Sequence, residues 1–115
     1  MIILYGISNC DTVRKARKWL DSANVDYQFY DYRKNELDKS LLTQWVEHLG
    51  WENLLNRRSS SWRQLTEEQK SNLSEKTAIA LMHHNPTLIK RPILCLDKSV
   101  HVGFDQHRYQ TLLAE

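Results

Sequence analysis

Residues 1–32 limit the possible fold more than any other stretch. Ile2-Ile3-Leu4-Tyr5 is a short apolar run closed by Gly6, which reads as a buried strand. Val13, Ala16, Leu20 and Ala23 then recur at helical spacing. Val25-Asp26-Tyr27-Gln28-Phe29-Tyr30-Asp31-Tyr32 returns to the aromatic and β-branched residues of a second strand. Two strands joined by a helix of this length predict a parallel βαβ unit with a right-handed crossover. Cys10 falls in the strand-to-helix turn, at or next to the first helical turn. Free N–H groups there carry partial positive charge, which favours a thiolate, the nucleophilic form of cysteine. Arg14, Lys15 and Arg17 add positive charge, and Asp11 opposes it. Free cysteines are also often small, buried and inert, so the turn by itself leaves both roles open.

The middle of the chain is helical. Leu37, Leu41, Leu42, Trp45, Val46 and Leu49 form an apolar stripe that Asp38 can cap and Gly50 can end. A short helical turn follows at Trp51–Leu55, and Asn56-Arg57-Arg58-Ser59-Ser60-Ser61 reads as a polar loop. Thr66 and Gln69 form a capping box for a helix to about Leu73. Another helix starts at Ser74 or Glu75 and ends near Asn85-Pro86. Ile93-Leu94-Cys95-Leu96 is a continuous apolar run, expected to be buried on both faces. Val100-His101-Val102 pairs with it as an antiparallel hairpin, and Asp105 caps a last helix through Tyr109, Leu112 and Leu113. The order β-α-β, helices, β-β-α is that of an α/β, thioredoxin-like fold. We read one domain, 1–115, with a helical insertion at about 37–86 before the third strand.

With 115 residues the chain can bury a sizeable core, and no apolar run approaches the ~20 residues of a membrane-spanning helix. Met1-Ile2-Ile3-Leu4-Tyr5 lacks the basic region and length of a signal peptide, so a cytoplasmic protein with no membrane partner is expected. A formal net charge of +2 gives no case for nucleic acid. Two cysteines make no disulfide framework. Cys95 lies three residues past Pro92, roughly 10 Å along a strand. If Pro92 faces Cys10, Cys95 is out of disulfide reach, and we read it as a core residue. Position 13 is valine, so no C-x-x-C partner exists either.

The second wall of a site around Cys10 is sought in Lys90-Arg91-Pro92-Ile93. In a thioredoxin-like sheet the third strand lies beside the first, so its start faces the Cys10 turn. Pro92 opens that strand, where a missing N–H is least harmful, and either isomer fits there. Arg91 supplies an always-ionised donor fork, unless it is an ordinary surface arginine. No metal is expected: His83 and His84 point ~100° apart on a helix, and His101 and His107 lack ligand spacing. Arg57, Arg58 and Arg63 form a small basic patch, either a solvated loop or a site for an anion such as the glutathione carboxylate. The tryptophans Trp19, Trp45, Trp51 and Trp62 are read as core or core edge.

The sequence resembles the arsenate reductase (ArsC-like) family of the thioredoxin-like superfamily. The residues that carry the likeness are Tyr5-Gly6-Ile7-Ser8-Asn9-Cys10, Arg14-Lys15-Ala16, Leu54-Leu55-Asn56-Arg57-Arg58-Ser59, Ile89-Lys90-Arg91-Pro92-Ile93 and Val102-Gly103-Phe104. Within the family, the sequence is most similar to the small bacterial glutathione-dependent thiol reductases. The resemblance implies Cys10 as nucleophile, Arg91-Pro92 as the second wall and a cis Pro92. We assign catalysis to Cys10 and Arg91, and substrate binding to Asn9, Arg14, Arg58 and Pro92. It further implies glutathione as co-substrate with no bound cofactor, glutaredoxin as a possible partner, and a monomer. Arsenate reductases of this family carry three arginines around the oxyanion. Arg91 matches one, Asn56 stands at the second just before Arg57 and Arg58, and Gly103-Phe104 stands at the third. Arsenate is therefore expected to be a poor substrate. An arginine at Phe104 is expected to help it if that loop points at the site. The alternative is an Spx-like regulator that docks on RNA polymerase; the C-x-x-C switch of that group is broken here by Val13.

Overall fold

A computed structural model describes residues 1–114. In chain order the elements are β1 (Ile3–Gly6), α1 (Asp11–Ser22), β2 (Gln28–Asp31), α2 (Lys39–Leu49), α3 (Trp51–Leu54), α4 (Ser60–Arg63), α5 (Glu67–Ser71) and α6 (Glu75–His84). A 3-10 turn (Pro86–Leu88), β3 (Ile93–Cys95), β4 (Val100–Val102) and α7 (Gln106–Leu113) complete the chain. The chain divides into two units, one made of Met1–Tyr32 with the segment from Arg91 onward, the other of Arg33–Lys90.

The first unit is built on a four-stranded sheet of order β2-β1-β3-β4. β1 runs parallel to β2, with Gly6 opposite Asp31, and antiparallel to β3, with Tyr5 opposite Ile93. β3 and β4 form the antiparallel hairpin, with Ile93 opposite Val102. This is the thioredoxin-like arrangement, with the first strand in the centre. One sheet face sends Leu4 and Leu94 against Ala16 and Leu20 of α1 and Tyr109 of α7, all fully buried. Tyr109 fixes α7 by edge contacts with Trp19 (5.9 Å between ring centroids) and Phe104 (4.8 Å), and its hydroxyl donates to the Gly103 carbonyl (3.2 Å). Asp105 caps α7 by accepting from the His107 and Arg108 N–H groups.

Two sequence expectations change in this unit. β2 begins at Gln28 rather than Val25, because the chain first turns out of α1. Asn24 takes a left-handed φ of 57° and the Val25 N–H closes onto the Leu20 carbonyl (3.0 Å). Cys95 is half-buried rather than a core residue. Only Ile93 and Leu94 are fully covered in β3, so the apolar run is closed on both faces at its first two residues and opens toward the hairpin turn.

The second unit holds helices and one antiparallel bridge, Leu55 opposite Ile89. Around it, the Lys90 N–H donates to the Leu54 carbonyl (2.8 Å) and the Asn56 N–H to the Leu88 carbonyl (2.7 Å). Buried side chains of α2 (Leu42, Trp45, Val46) and α6 (Ala78, Ile79, Met82) lie on helices that contact each other. Asp38 accepts from Ser40 N–H at the start of α2, and Gly50 ends that helix at φ 84°. Thr66 with Gln69, and Ser74 with Thr77, form full capping boxes. The expected polar loop at 56–61 instead contains the first residues of α4, because the Ser59 hydroxyl accepts from Trp62 N–H (3.1 Å) and nucleates a turn. The helix expected to reach about Leu73 stops at Ser71.

Gly6 has a steric reason to be glycine. A Cβ built on it would lie 2.8 Å from one methyl of Val13 and 3.3 Å from the other. Val13 is fully buried and stiff at χ1, so it has little room to yield. Gly6→Ala is expected to destabilise the protein by ~1–3 kcal/mol. Urea unfolding midpoints should show the loss, and the pair Gly6→Ala with Val13→Ala should be less destabilised than the sum of the single changes.

Candidate active site

Gly6 ends β1, and Ile7-Ser8-Asn9 carries the chain to Cys10. Asp31 secures this turn: its carboxylate is buried and accepts from the Ser8 N–H (3.0 Å). Tyr32 follows, and its N–H donates to the Gly6 carbonyl (3.1 Å). The carboxyl ends of the two parallel strands therefore meet at the cysteine turn, as sites in open α/β sheets do.

Cys10 is the N-cap residue of α1, with extended backbone (φ −145°, ψ 126°) and its carbonyl accepting from Arg14 N–H (2.9 Å). A serine or aspartate oxygen at such a position would cap the second or third N–H of the helix. Here the thiol closes no formal cap bond. The Val13 and Thr12 N–H groups are nonetheless directed at the sulfur and favour its anion. Burial pushes the thiol pKa up. It is outweighed by the Val13 N–H, by a hydrogen bond and charge from Arg91, and by the Thr12 N–H, so the net shift is below an ordinary thiol.

Arg91 is thus the cation that acts on Cys10. It is half-buried, and the Arg91–Pro92 peptide bond is cis. Pro92 is buried, and its carbonyl accepts from Gly103 N–H (2.8 Å). Arg14 is turned elsewhere. It pairs with the Asp11 carboxylate one turn back and donates to the Asn9 side-chain oxygen (3.3 Å). Arg17 lies over the Phe29 ring, 4.1 Å from its centroid. Two of the helical charges that stand out in the sequence, Arg14 and Arg17, are therefore engaged with other side chains. Asn9 is exposed beside Cys10 and holds Arg14.

Arg58 belongs to the second unit, where it is exposed and its N–H donates to the Asn56 side-chain oxygen (3.0 Å). Arg57 lies over the Trp62 ring at 5.6 Å, and Lys70 over the same ring at 5.5 Å. Phe104 is half-buried and packs against the core of the first unit, its ring on that of Tyr109. The side chain at 104 is turned onto Tyr109, which does not match the condition attached to an arginine at that position. Among the described residues no group of three or more His, Cys, Asp or Glu is placed to hold a metal, and no helix is long and apolar enough to cross a membrane.

Two residues of the site were not singled out from the sequence. Asp31 holds the cysteine turn. Tyr32 is 3% exposed, and its hydroxyl oxygen is buried without a hydrogen-bond partner. Burial raises the Tyr32 pKa; Arg91 opposes that rise, and Cys10 and Asp31 add to it. The phenol therefore stays neutral beside the guanidinium. The available signal was positional, since both residues end the second parallel strand.

Comparison with known proteins places this geometry among relatives. The ArsC family model matches residues 5–112. The solved structure of the YffB protein superposes with a TM-score of 0.95 at 44% identity, covering 99% of this chain and 100% of that one. An uncharacterized protein of Haemophilus influenzae is 46% identical over 114 residues, 99% of this chain and 100% of its own length. The global transcriptional regulator Spx of Lactiplantibacillus plantarum is 28% identical over 115 residues, 98% of this chain and 86% of its own length.

Arg91→Ala should raise the Cys10 thiol pKa and slow alkylation of Cys10 at neutral pH, both read from thiolate absorbance and iodoacetamide kinetics against pH. The same lowered pKa links to stability. A thiol with a depressed folded pKa stabilises the fold fully above its unfolded value of about 8.5, and the gain is lost as pH falls through the folded value. Wild type and Cys10→Ser should therefore keep a constant difference in urea midpoint at low pH. That difference should shift in favour of wild type as pH rises through the interval between the two values.

Proposed function

The chain belongs to the ArsC family, and we propose that it is a thiol–disulfide oxidoreductase that uses Cys10 as nucleophile and glutathione as co-substrate. In this reading it works as a cytoplasmic monomer on small disulfides. The observation that carries the reading is the convergence of two helix N–H groups and Arg91 on one sulfur. The Cys10 thiolate attacks one sulfur of a disulfide. A new S–S bond forms to Cys10, the old S–S bond breaks, and the departing thiolate takes the electron pair. An external thiol, glutathione or glutaredoxin, then attacks the mixed disulfide and releases Cys10 as thiolate. The groups that lower its pKa make it a better leaving group in that second step.

Arsenate asks for more. A multiply charged oxyanion brought against Cys10 needs several charged donors. Arg91 is one donor in the cysteine-bearing unit. Arg14 is held by Asp11 and Asn9, and position 104 carries a phenylalanine packed against the core. Each missing charged hydrogen bond is worth ~1.5–3 kcal/mol, or roughly 10- to 150-fold in rate if felt in the transition state.

A regulatory reading is supported by the likeness to Spx. It predicts capture of RNA polymerase by the purified chain and no turnover in a glutathione-coupled assay. The enzyme reading predicts a glutathione adduct confined to Cys10 after exposure to glutathione disulfide, located by peptide mass spectrometry. It also predicts arsenate turnover at least tenfold below that of a dedicated reductase under matched glutathione and glutaredoxin, in line with one lost charged bond. An adduct on Cys95 alone, or matched arsenate turnover, would refute it.

A further inference from the structure

β4 and α7 meet in a polar cluster that the exchange chemistry does not use. Arg108, in the first turn of α7, reaches back to β4 with both ends of its guanidinium. Nη1 donates to the Val102 carbonyl (3.2 Å), and Nη2 lies 3.1 Å from Nδ1 of His101. The other ring nitrogen, Nε2, lies 2.9 Å from the Ser99 hydroxyl in the hairpin turn. A guanidinium holds donors and no acceptor, so Nδ1 must accept. His101 is therefore neutral, with its proton on Nε2 and donated to Ser99. A proton on Nδ1 would set N–H against N–H and one cation against another. Protonation of Nδ1 and the bond from Arg108 exclude each other.

No other charge stands in for Arg108. On β3, the residue opposite His101 is Leu94, which packs with Ala16 and Leu20 of α1, all uncharged. In the hairpin turn, Asp97 is paired with the N-terminal amine (2.6 Å). At the start of α7, Asp105 is occupied by the His107 and Arg108 N–H groups. Burial, and after it the Arg108 charge, hold the half-buried His101 below an ordinary imidazole, about 6.5. The unfolded chain thus takes up this proton first as pH falls. The stability that the pair contributes is complete above about 6.5 and declines as pH falls toward the folded value.

We propose that His101 and Arg108 form a pH-sensitive clasp: neutral His101 fastens the first turn of α7 to β4, and a proton on Nδ1 releases Arg108 and loosens the helix. The clasp is independent of the chemistry at Cys10. The corner it fastens is joined to the rest of the sheet by the Gly103 N–H, which donates to the Pro92 carbonyl (2.8 Å), and by the Tyr109 hydroxyl on the Gly103 carbonyl (3.2 Å). Arg108 is exposed, so the effect is that of a screened pair, a few-fold and not more.

Nitrogen-15 spectra of the His101 ring and amide hydrogen exchange of α7 test it. In neutral solution the wild-type ring should carry its proton on Nε2. His101→Asn keeps an acceptor near the Nδ1 position and cannot take up a proton; Arg108→Met removes the donor. His107 is a second imidazole in the same turn, so the readout is the ratio of wild-type to variant protection, from which it cancels. Between about pH 7.5 and about pH 5 that ratio should fall about threefold against either variant, the size expected of a screened pair. A proton on Nδ1 in the neutral ring, or a ratio that stays flat against either folded variant, would overturn the proposal. If one variant fails to fold, the other ratio and the wild-type ring spectrum carry the test.

Discussion

The close approach of α1 to β1 at Gly6 and Val13 is the contact on which the site depends. With no Cβ at position 6, the first turn of the helix can settle against the end of the strand. That places the N–H groups of Thr12 and Val13 where the Cys10 sulfur meets them. The neighbours of β1 do the rest. β2 runs beside it in parallel and delivers Asp31 and Tyr32 to the same end, while Arg91 stands just before β3 on the other side. The end of β1 therefore gathers a helix terminus, a carboxylate brace, a phenol and a cation from its neighbours.

Charge near a cysteine in sequence is a poor guide to charge near its sulfur. Arg14 and Arg17 follow Cys10 closely, yet one is paired to Asp11 and Asn9 and the other is stacked on Phe29. Arg14 is also exposed, so its charge is screened by solvent and salt. Arg91, distant in sequence and half-buried, supplies the effective charge because it is held in a place where screening is weak.

What could be read from the sequence was local or periodic. Asp38, Thr66, Ser74 and Asp105 cap helices as their spacing suggests, since a cap is decided within four residues. The β1–β2 pair followed from the helix between the two strands and the β3–β4 pair from the hairpin, while the place of β3 beside β1 came from the thioredoxin-like topology. The features that escaped notice are set by partners far along the chain. The start of β2 shifted because Val25 closes a turn onto Leu20. Asp31 looked like one more strand residue until Ser8, on another element, used its carboxylate. Tyr32 read as the last residue of a strand, and its place beside Arg91 and Cys10 is set by elements far along the chain.

The first unit draws its sheet from both ends of the described chain, while the second is made of the continuous segment Arg33–Lys90. During synthesis β1, α1 and β2 emerge first, and the segment 33–90 can make its own local contacts as it follows. Arg91 arrives only after all of it. Until then Cys10 has a helix start at most and no cation, so its thiol stays closer to its ordinary, protonated state. Placing the activating arginine on the far side of the insertion makes the reactivity of the cysteine conditional on completion of the sheet. In a nascent or half-folded chain Cys10 is thereby held nearer to an ordinary thiol, with a smaller fraction of thiolate.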